Sequence, residues 1–117
     1  MGIQKLKKKF SDSYQIVEKY YLILSGINNL NITNRELQLL TYCTINGSIS
    51  DKKVKKGFCE KYKSSNASIN NMVSKLSITN LIVKDDDGKN IVNPLIIPKF
   101  ENKLNLIVTL ENENKEL

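Results

Sequence analysis

Residues 65–93 read SNASINNMVSKLSITNLIVKDDDGKNIVN, a helical pattern that runs directly into a hairpin pattern. Ile69, Met72, Val73 and Leu76 recur at i, i+3, i+4 and i+7, the spacing that puts apolar side chains on one face of an α-helix. Ser65, Asn66, Ser68, Asn70, Asn71, Ser74 and Lys75 fall on the other face. That outer face has no acid and many small hydrogen-bonding groups, whereas a merely solvated helix alternates Glu with Lys, so the pattern predicts a face that touches a partner. Beyond it, Leu81-Ile82-Val83 is β-rich, Asp85-Asp86-Asp87-Gly88 is turn chemistry with Asp-Gly at its centre, and Ile91-Val92 resumes the strand.

Upstream, Lys63-Ser64-Ser65 reads as a turn, and before it a helix runs from Ser50 or Asp51 to about Tyr62. Val54, Phe58, Cys59 and Tyr62 are its inward residues, and Lys52, Lys53, Lys55, Lys56, Lys61 and Lys63 its outward ones. This lysine cluster is either an ordinary solvated face or a phosphate-binding one. Gly57 inside the helix costs about 1 kcal/mol relative to Ala, and it marks a weak spot or a point where another helix packs closely.

The sharpest local signal lies earlier still, in Ile32-Thr33-Asn34-Arg35-Glu36-Leu37. Thr33 caps a helix, Glu36 completes a T-x-x-E capping box, and Ile32 staples onto Leu37. The helix continues through Leu40 and Cys43 and stops near Asn46-Gly47, two residues that tolerate the left-handed conformation. Ser48-Ile49-Ser50 is a short extended link. A first amphipathic helix covers Ser13 to about Asn28, with Asp12 or Ser13 as N-cap and Ile16, Val17, Tyr20, Leu24 and Ile27 as its stripe. Tyr14, Tyr20 and Tyr21 thicken that helix, and their simplest role is packing. Lys5, Lys7, Lys8 and Lys9 form a basic arm ahead of it, either solvated or contacting phosphate.

After Asn93-Pro94, the run from Leu104 to Leu110 places Leu104, Leu106, Val108 and Leu110 in alternation with Asn105 and Thr109. This predicts a strand with one apolar face, which extends the hairpin, packs on the first helix or meets another subunit. The tail ENENKEL reads as frayed.

Composition narrows the function classes. A chain of 117 residues is one domain by length and buries about two-thirds of its unfolded surface. Its 18 basic residues against 12 acids leave a net charge of +6, which favours a polyanionic partner, with nucleic acid first. Asn, Ile and Lys are abundant, the composition an AT-rich genome gives, and Arg35 is the sole arginine. Cys43 and Cys59 lack CxxC spacing and the chain has no His, so no zinc site is expected and both read as buried cytoplasmic thiols. The Asp-rich turn lacks the alternating ligands and closing Glu of a calcium loop. No apolar run approaches the ~18 residues of a membrane span, the basic start lacks a signal-peptide core, and Leu6 breaks the myristoylation pattern. The expectation is a cytoplasmic protein without a membrane partner. With no nucleophile elbow, P-loop, His or CxxC, neither an enzyme nor a cofactor is expected.

Helix, turn, helix and hairpin, preceded by a capped helix, is the order of a winged helix-turn-helix. Asn31-Ile32-Thr33-Asn34-Arg35-Glu36-Leu37 with Leu40 resembles the LT-x-x-E-x-x-x-L entry to the second helix of MarR-type winged-helix regulators. Ser65 to Leu76 resembles their recognition helix, and Asn80-Leu81-Ile82 sits where they carry Gly-Leu-Ile, a mild change because Asn is the next best residue at a left-handed helix terminus. Lys89 to Pro94 resembles the wing end of RepL-type plasmid replication initiators. The similarity covers about residues 31–94 at the level of pattern. The wing lacks the arginine such regulators carry near its tip, and the helix has none for bidentate guanine contacts.

The fold class expected is therefore α+β, mostly helical: a winged helix-turn-helix with a C-terminal β-hairpin extension. A basic arm (1–12), a winged-helix domain (13–94) and a C-terminal strand extension with a frayed tail (95–117) make up the chain. The resemblance implies a regulator or replication initiator that binds double-stranded DNA in the major groove with residues 65–75. Asn66, Ser68, Asn70, Asn71, Ser74 and Lys75 are its candidate contacts, Ala67 meets a thymine methyl, and Asn70 and Asn71 suit adenine. Ser64, Ser65 and the helix N-terminus would hold a phosphate, and Lys84 and Lys89 flank the wing tip. A homodimer would form through the first helix or the last strand. The other reading is a structural or interaction protein, for example a phage-particle component, that uses the same scaffold for protein contacts. The apolar last strand and the acidic wing tip favour it.

Overall fold

The computed structural model describes residues 5–114 and shows an α+β, mostly helical chain. Its order is α1 (Ser13–Ile27), α2 (Asn34–Asn46), α3 (Lys52–Tyr62), α4 (Asn66–Ile78), β1 (Ile82–Lys84), β2 (Asn90–Val92) and a 3-10 turn at Pro94–Ile96. The two strands form one antiparallel hairpin with Ile82 opposite Val92, Val83 opposite Ile91 and Lys84 opposite Asn90.

Helix α2 is the hub. Leu39, Leu40 and Thr41 are completely buried in it, and α1, α3, α4 and β2 all pack against it. Thr41 satisfies its hydroxyl by donating to the Leu37 carbonyl at 2.8 Å. The capping box forms as the pattern predicts: the Glu36 amide donates to Thr33 Oγ1 (3.1 Å) and the Thr33 amide to Glu36 Oε1 (2.8 Å). Ile32 and Leu37 both join the core, and Gly47 closes the helix with φ 110°, a conformation that favours glycine.

Helix α1 begins at Asp12, whose carboxylate accepts from the Gln15 amide at 2.9 Å. Its fully buried residues are Val17, Tyr21 and Ser25; of the expected stripe Val17 is in the core, Tyr20 and Leu24 pack against it and Ile16 is half-buried. Ile27 is exposed, and Tyr21 takes the central place instead. The Tyr21 hydroxyl shares a 2.6 Å hydrogen bond with Thr44 Oγ1 of α2, which lets a phenol sit in the core without an orphaned polar atom. Helix α3 buries Val54 and Phe58 as expected, and Tyr42 of α2 lays its ring edge-on to Phe58 and its hydroxyl over Gly57. A Cβ at residue 57 would overlap that hydroxyl, so the glycine is a close-packing point.

Two contacts fix α3 and α4 from the first turn of α2. Arg35 Nη1 donates to the Tyr62 carbonyl at 2.6 Å, filling one of the acceptors left open at the end of α3. Lys75 of α4 pairs with the buried Glu36 at 3.4 Å. Between the two helices Lys63 turns left-handed (φ 52°) and the Ser64 amide donates back to the Cys59 carbonyl at 3.1 Å. At the far end of α4, Asn80 adopts φ 61° and the Leu81 amide donates to the Leu76 carbonyl at 3.0 Å, the left-handed termination anticipated for that asparagine. Asn93 then ties the hairpin base to the turn after α4, its side-chain Nδ2 donating to the Asn80 carbonyl at 2.9 Å. The link at 48–50 serves β2 through side chains: Ser48 Oγ donates to the Asn90 carbonyl (2.7 Å) and the Asn90 amide donates to Ser50 Oγ (2.9 Å).

The C-terminal segment departs from expectation. Residues 97–113 carry neither helix nor strand, and Leu104 to Leu110 forms no β-ladder. The physical reason is the lack of a partner edge. Leu106, Ile107 and Val108 run beside Tyr20, Ile23, Leu24 and Ile27 of α1, which offers side chains but no free backbone groups. Ile107 is 94% and Leu110 84% exposed. Of the expected basic arm, residues 1–4 lie outside the described residues, as do residues 115–117 of the tail. Cys43 is buried and Cys59 half-buried, both as free thiols.

Candidate nucleic-acid interface

Helix α4 follows from its sequence in an ordinary way. Ser65 caps it by accepting from the Ser68 amide at 3.1 Å, and Ile69, Met72 and Leu76 bury one face. The opposite line of the cylinder carries Ala67, Asn70, Asn71 and Ser74, all exposed. Among the described residues the side chains of Asn66, Asn70, Asn71 and Ser74 have no hydrogen-bond partner, so their donors and acceptors are unspent.

Several of the expected contact residues stand differently. The Ser65 hydroxyl is committed to the cap, Ser64 is half-buried in the turn, and Ser68 is half-buried. Lys75 leans toward Glu36, although half of its side chain remains in solvent. Lys89 pairs with Asp51 at the start of α3 at 2.8 Å, and that hydrogen bond, reinforced by the Asp51 charge, raises the lysine pKa. Lys84 is exposed and is the hairpin cation without such a partner among the described residues. Neither the Lys75 nor the Lys89 pairing has a local signal in the sequence, because the partners lie 39 and 38 positions away.

The hairpin tip is less acidic in effect than its composition. Asp85 turns its carboxylate back to accept from the Asp87 and Lys89 amides, both at 2.9 Å, which leaves Asp86 and Asp87 facing solvent. Lys52, Lys53, Lys56 and Lys61 of α3 and Lys63 just after it are exposed, whereas Lys55, expected outward, is half-buried; Lys61 lies over the Tyr14 ring, 4.0 Å from its centroid. That ring also contacts Tyr42 and accepts at its hydroxyl from the Asn46 amide (2.9 Å), so Tyr14 is a packing residue with a cation on its outer face.

Two buried acidic groups sit in the core rather than at this surface. Burial pushes the Cys43 thiol up to about 12 and the Tyr21 phenol up to about 12. No helix among the described residues is long and apolar enough to cross a membrane. No protein-family model, curated protein or solved structure matches the chain.

Proposed function

We propose that this chain is a DNA-binding winged-helix protein of the cytoplasm, a transcription regulator or replication initiator rather than an enzyme, that sets residues 65–75 in the major groove. The observation that carries the reading is the outward face of α4. It is exposed, free of acids and lined with unspent amide and hydroxyl groups, and in the chain α4 follows a lysine-rich helix and precedes a hairpin. A helix of this kind fits the major groove of B-DNA, and flanking lysines such as Lys63 and Lys84 would meet the phosphates. The Ser65 hydroxyl then shapes the helix start, and the amides of the first turn face the anion. Affinity for duplex DNA should fall with a log–log salt slope of about −0.9 per phosphate contacted. Absence of binding at low ionic strength overturns the reading.

A second reading is favoured by the exposed Ile107 and Leu110 and by Asp86 and Asp87 at the hairpin tip. These suit a structural or interaction protein, such as a phage-particle component, or a homodimer joined through α1 or residues 104–110. Crosslinking that places the α4 face against another subunit supports it, and a monomeric sedimentation profile at high concentration excludes the homodimer.

A further inference from the structure

Resting on the DNA-binding reading, we propose that α4 selects adenine through the paired amides of Asn70 and Asn71, and that this face discriminates against guanine.

The amide of Asn carries a donor and an acceptor side by side, which matches the N7 acceptor and N6 donor that adenine shows in the major groove. Guanine presents two acceptors there, O6 and N7, and calls for two donors, which Arg or Lys supplies. The two asparagines flank the outermost line of α4, exposed and without partners among the described residues. Ala67 stands one turn before them, its methyl matched to that of thymine.

The cations that would favour guanine are few near this face. Arg35, the sole arginine, stands on α2 rather than α4 and donates one guanidinium N–H to the Tyr62 carbonyl. Lys75, the one lysine within α4, is drawn back toward Glu36. Both ties originate in the first turn of α2, so the centre of the face, from Ala67 to Asn71, is lined by neutral groups. An Asn set against guanine can satisfy only one of the two acceptors and leaves its own oxygen facing another oxygen.

Selection of the full chain on a pool of randomised duplexes tests this. Retained duplexes should be enriched in adenine at two or more positions, and replacing those adenines with 7-deazaadenine, which lacks the N7 acceptor and so loses one of the two hydrogen bonds of each bidentate contact, should weaken binding by up to about tenfold per position. The Asn70→Ala/Asn71→Ala variant should bind the normal and 7-deaza duplexes equally and should lose the preference for adenine-containing over G·C-only duplexes. Because both positions are exposed, its far-UV circular dichroism should match the parent. Retention without base preference, enrichment in guanine, or indifference of the parent protein to 7-deazaadenine overturns the adenine proposal while leaving DNA binding intact. Retention of no duplex at low salt overturns both.

Discussion

Lys75 Nζ lies 3.4 Å from Glu36 Oε1, which joins the last turn of α4 to the first turn of α2 across 39 residues of sequence. The same carboxylate oxygen accepts from the Thr33 amide at 2.8 Å, so one buried group closes a helix cap and holds a second helix. Glu36→Ala removes both and should cost about 1–2 kcal/mol, the range of a lost cap. Glu36→Gln keeps an acceptor for the Thr33 amide and should cost less. Lys75→Ala should cost under about 1 kcal/mol, because the lysine is half in solvent and the pair is screened. Urea unfolding midpoints should rank the variants in that order, and a Lys75→Ala loss equal to that of Glu36→Ala would contradict it.

Gly57 and Tyr42 form a second linked pair. Alanine is the better helix former by about 1 kcal/mol, yet a methyl at residue 57 would overlap the Tyr42 hydroxyl. Tyr42 is hemmed in by the rings of Phe58, Tyr62 and Tyr14, so it cannot step aside freely. Gly57→Ala should therefore destabilise by about 1–3 kcal/mol, as overpacking does. Adding Tyr42→Phe should restore most of that loss, whereas Tyr42→Phe alone should change little. A double-mutant cycle by thermal or urea unfolding measures the coupling, and additive effects would refute it.

At Asn80 the backbone takes φ 61° with an exposed side chain. Asn80→Gly should leave stability unchanged or raise it by less than about 1 kcal/mol, while Asn80→Ala should cost about 1 kcal/mol, because a Cβ without a compensating polar group disfavours the left-handed region. The bond from Asn93 reaches the Asn80 carbonyl and survives either change.

Alkaline pH should weaken the fold in a defined window. Burial holds Cys43 protonated up to about 12, against an ordinary 9.0, and Tyr21 up to about 12, against 10.0. The unfolded chain gives up these protons first, so between about 9 and about 12 the folded state binds more of them and stability falls as pH rises. Below about 9 the contribution is fully present. The slope should approach about 1.4 kcal/mol per pH unit for each group. Cys43→Ala should flatten the first part of the decline, between about 9 and 10, whatever its effect on stability at neutral pH.

The parts of the structure that were legible in advance are those written in short-range chemistry. Thr33 and Glu36 announce a cap because both partners lie within one turn, and Asp85 to Gly88 announces a hairpin for the same reason. The buried face of α4 follows from its period. Misread stretches depended on what stands opposite. Leu104 to Leu110 alternates like a strand, but its neighbour is a helix without free backbone groups, and periodicity does not reveal that. In α1 the stripe held at Val17, Tyr20 and Leu24, but Tyr21 joined it because its hydroxyl finds Thr44 of α2 across the core, while Ile27 is exposed. The exposure of the α4 face was readable, whereas the pinning of Arg35, Lys75 and Lys89 was not, since each partner is more than 25 positions away in a different element.

The serines at 48 and 50 bear on how large the β-structure can grow. A two-stranded ribbon exposes bare backbone along its flanks, where an extended segment from another molecule can zip on. Along β2 that route is shut. The outward carbonyl and amide of Asn90 are already taken by the Ser48 and Ser50 hydroxyls, and Val92 is buried beside α2. The ribbon is thus terminated by two side chains instead of a third strand, and any chain seeking to polymerise through β2 would first have to displace both.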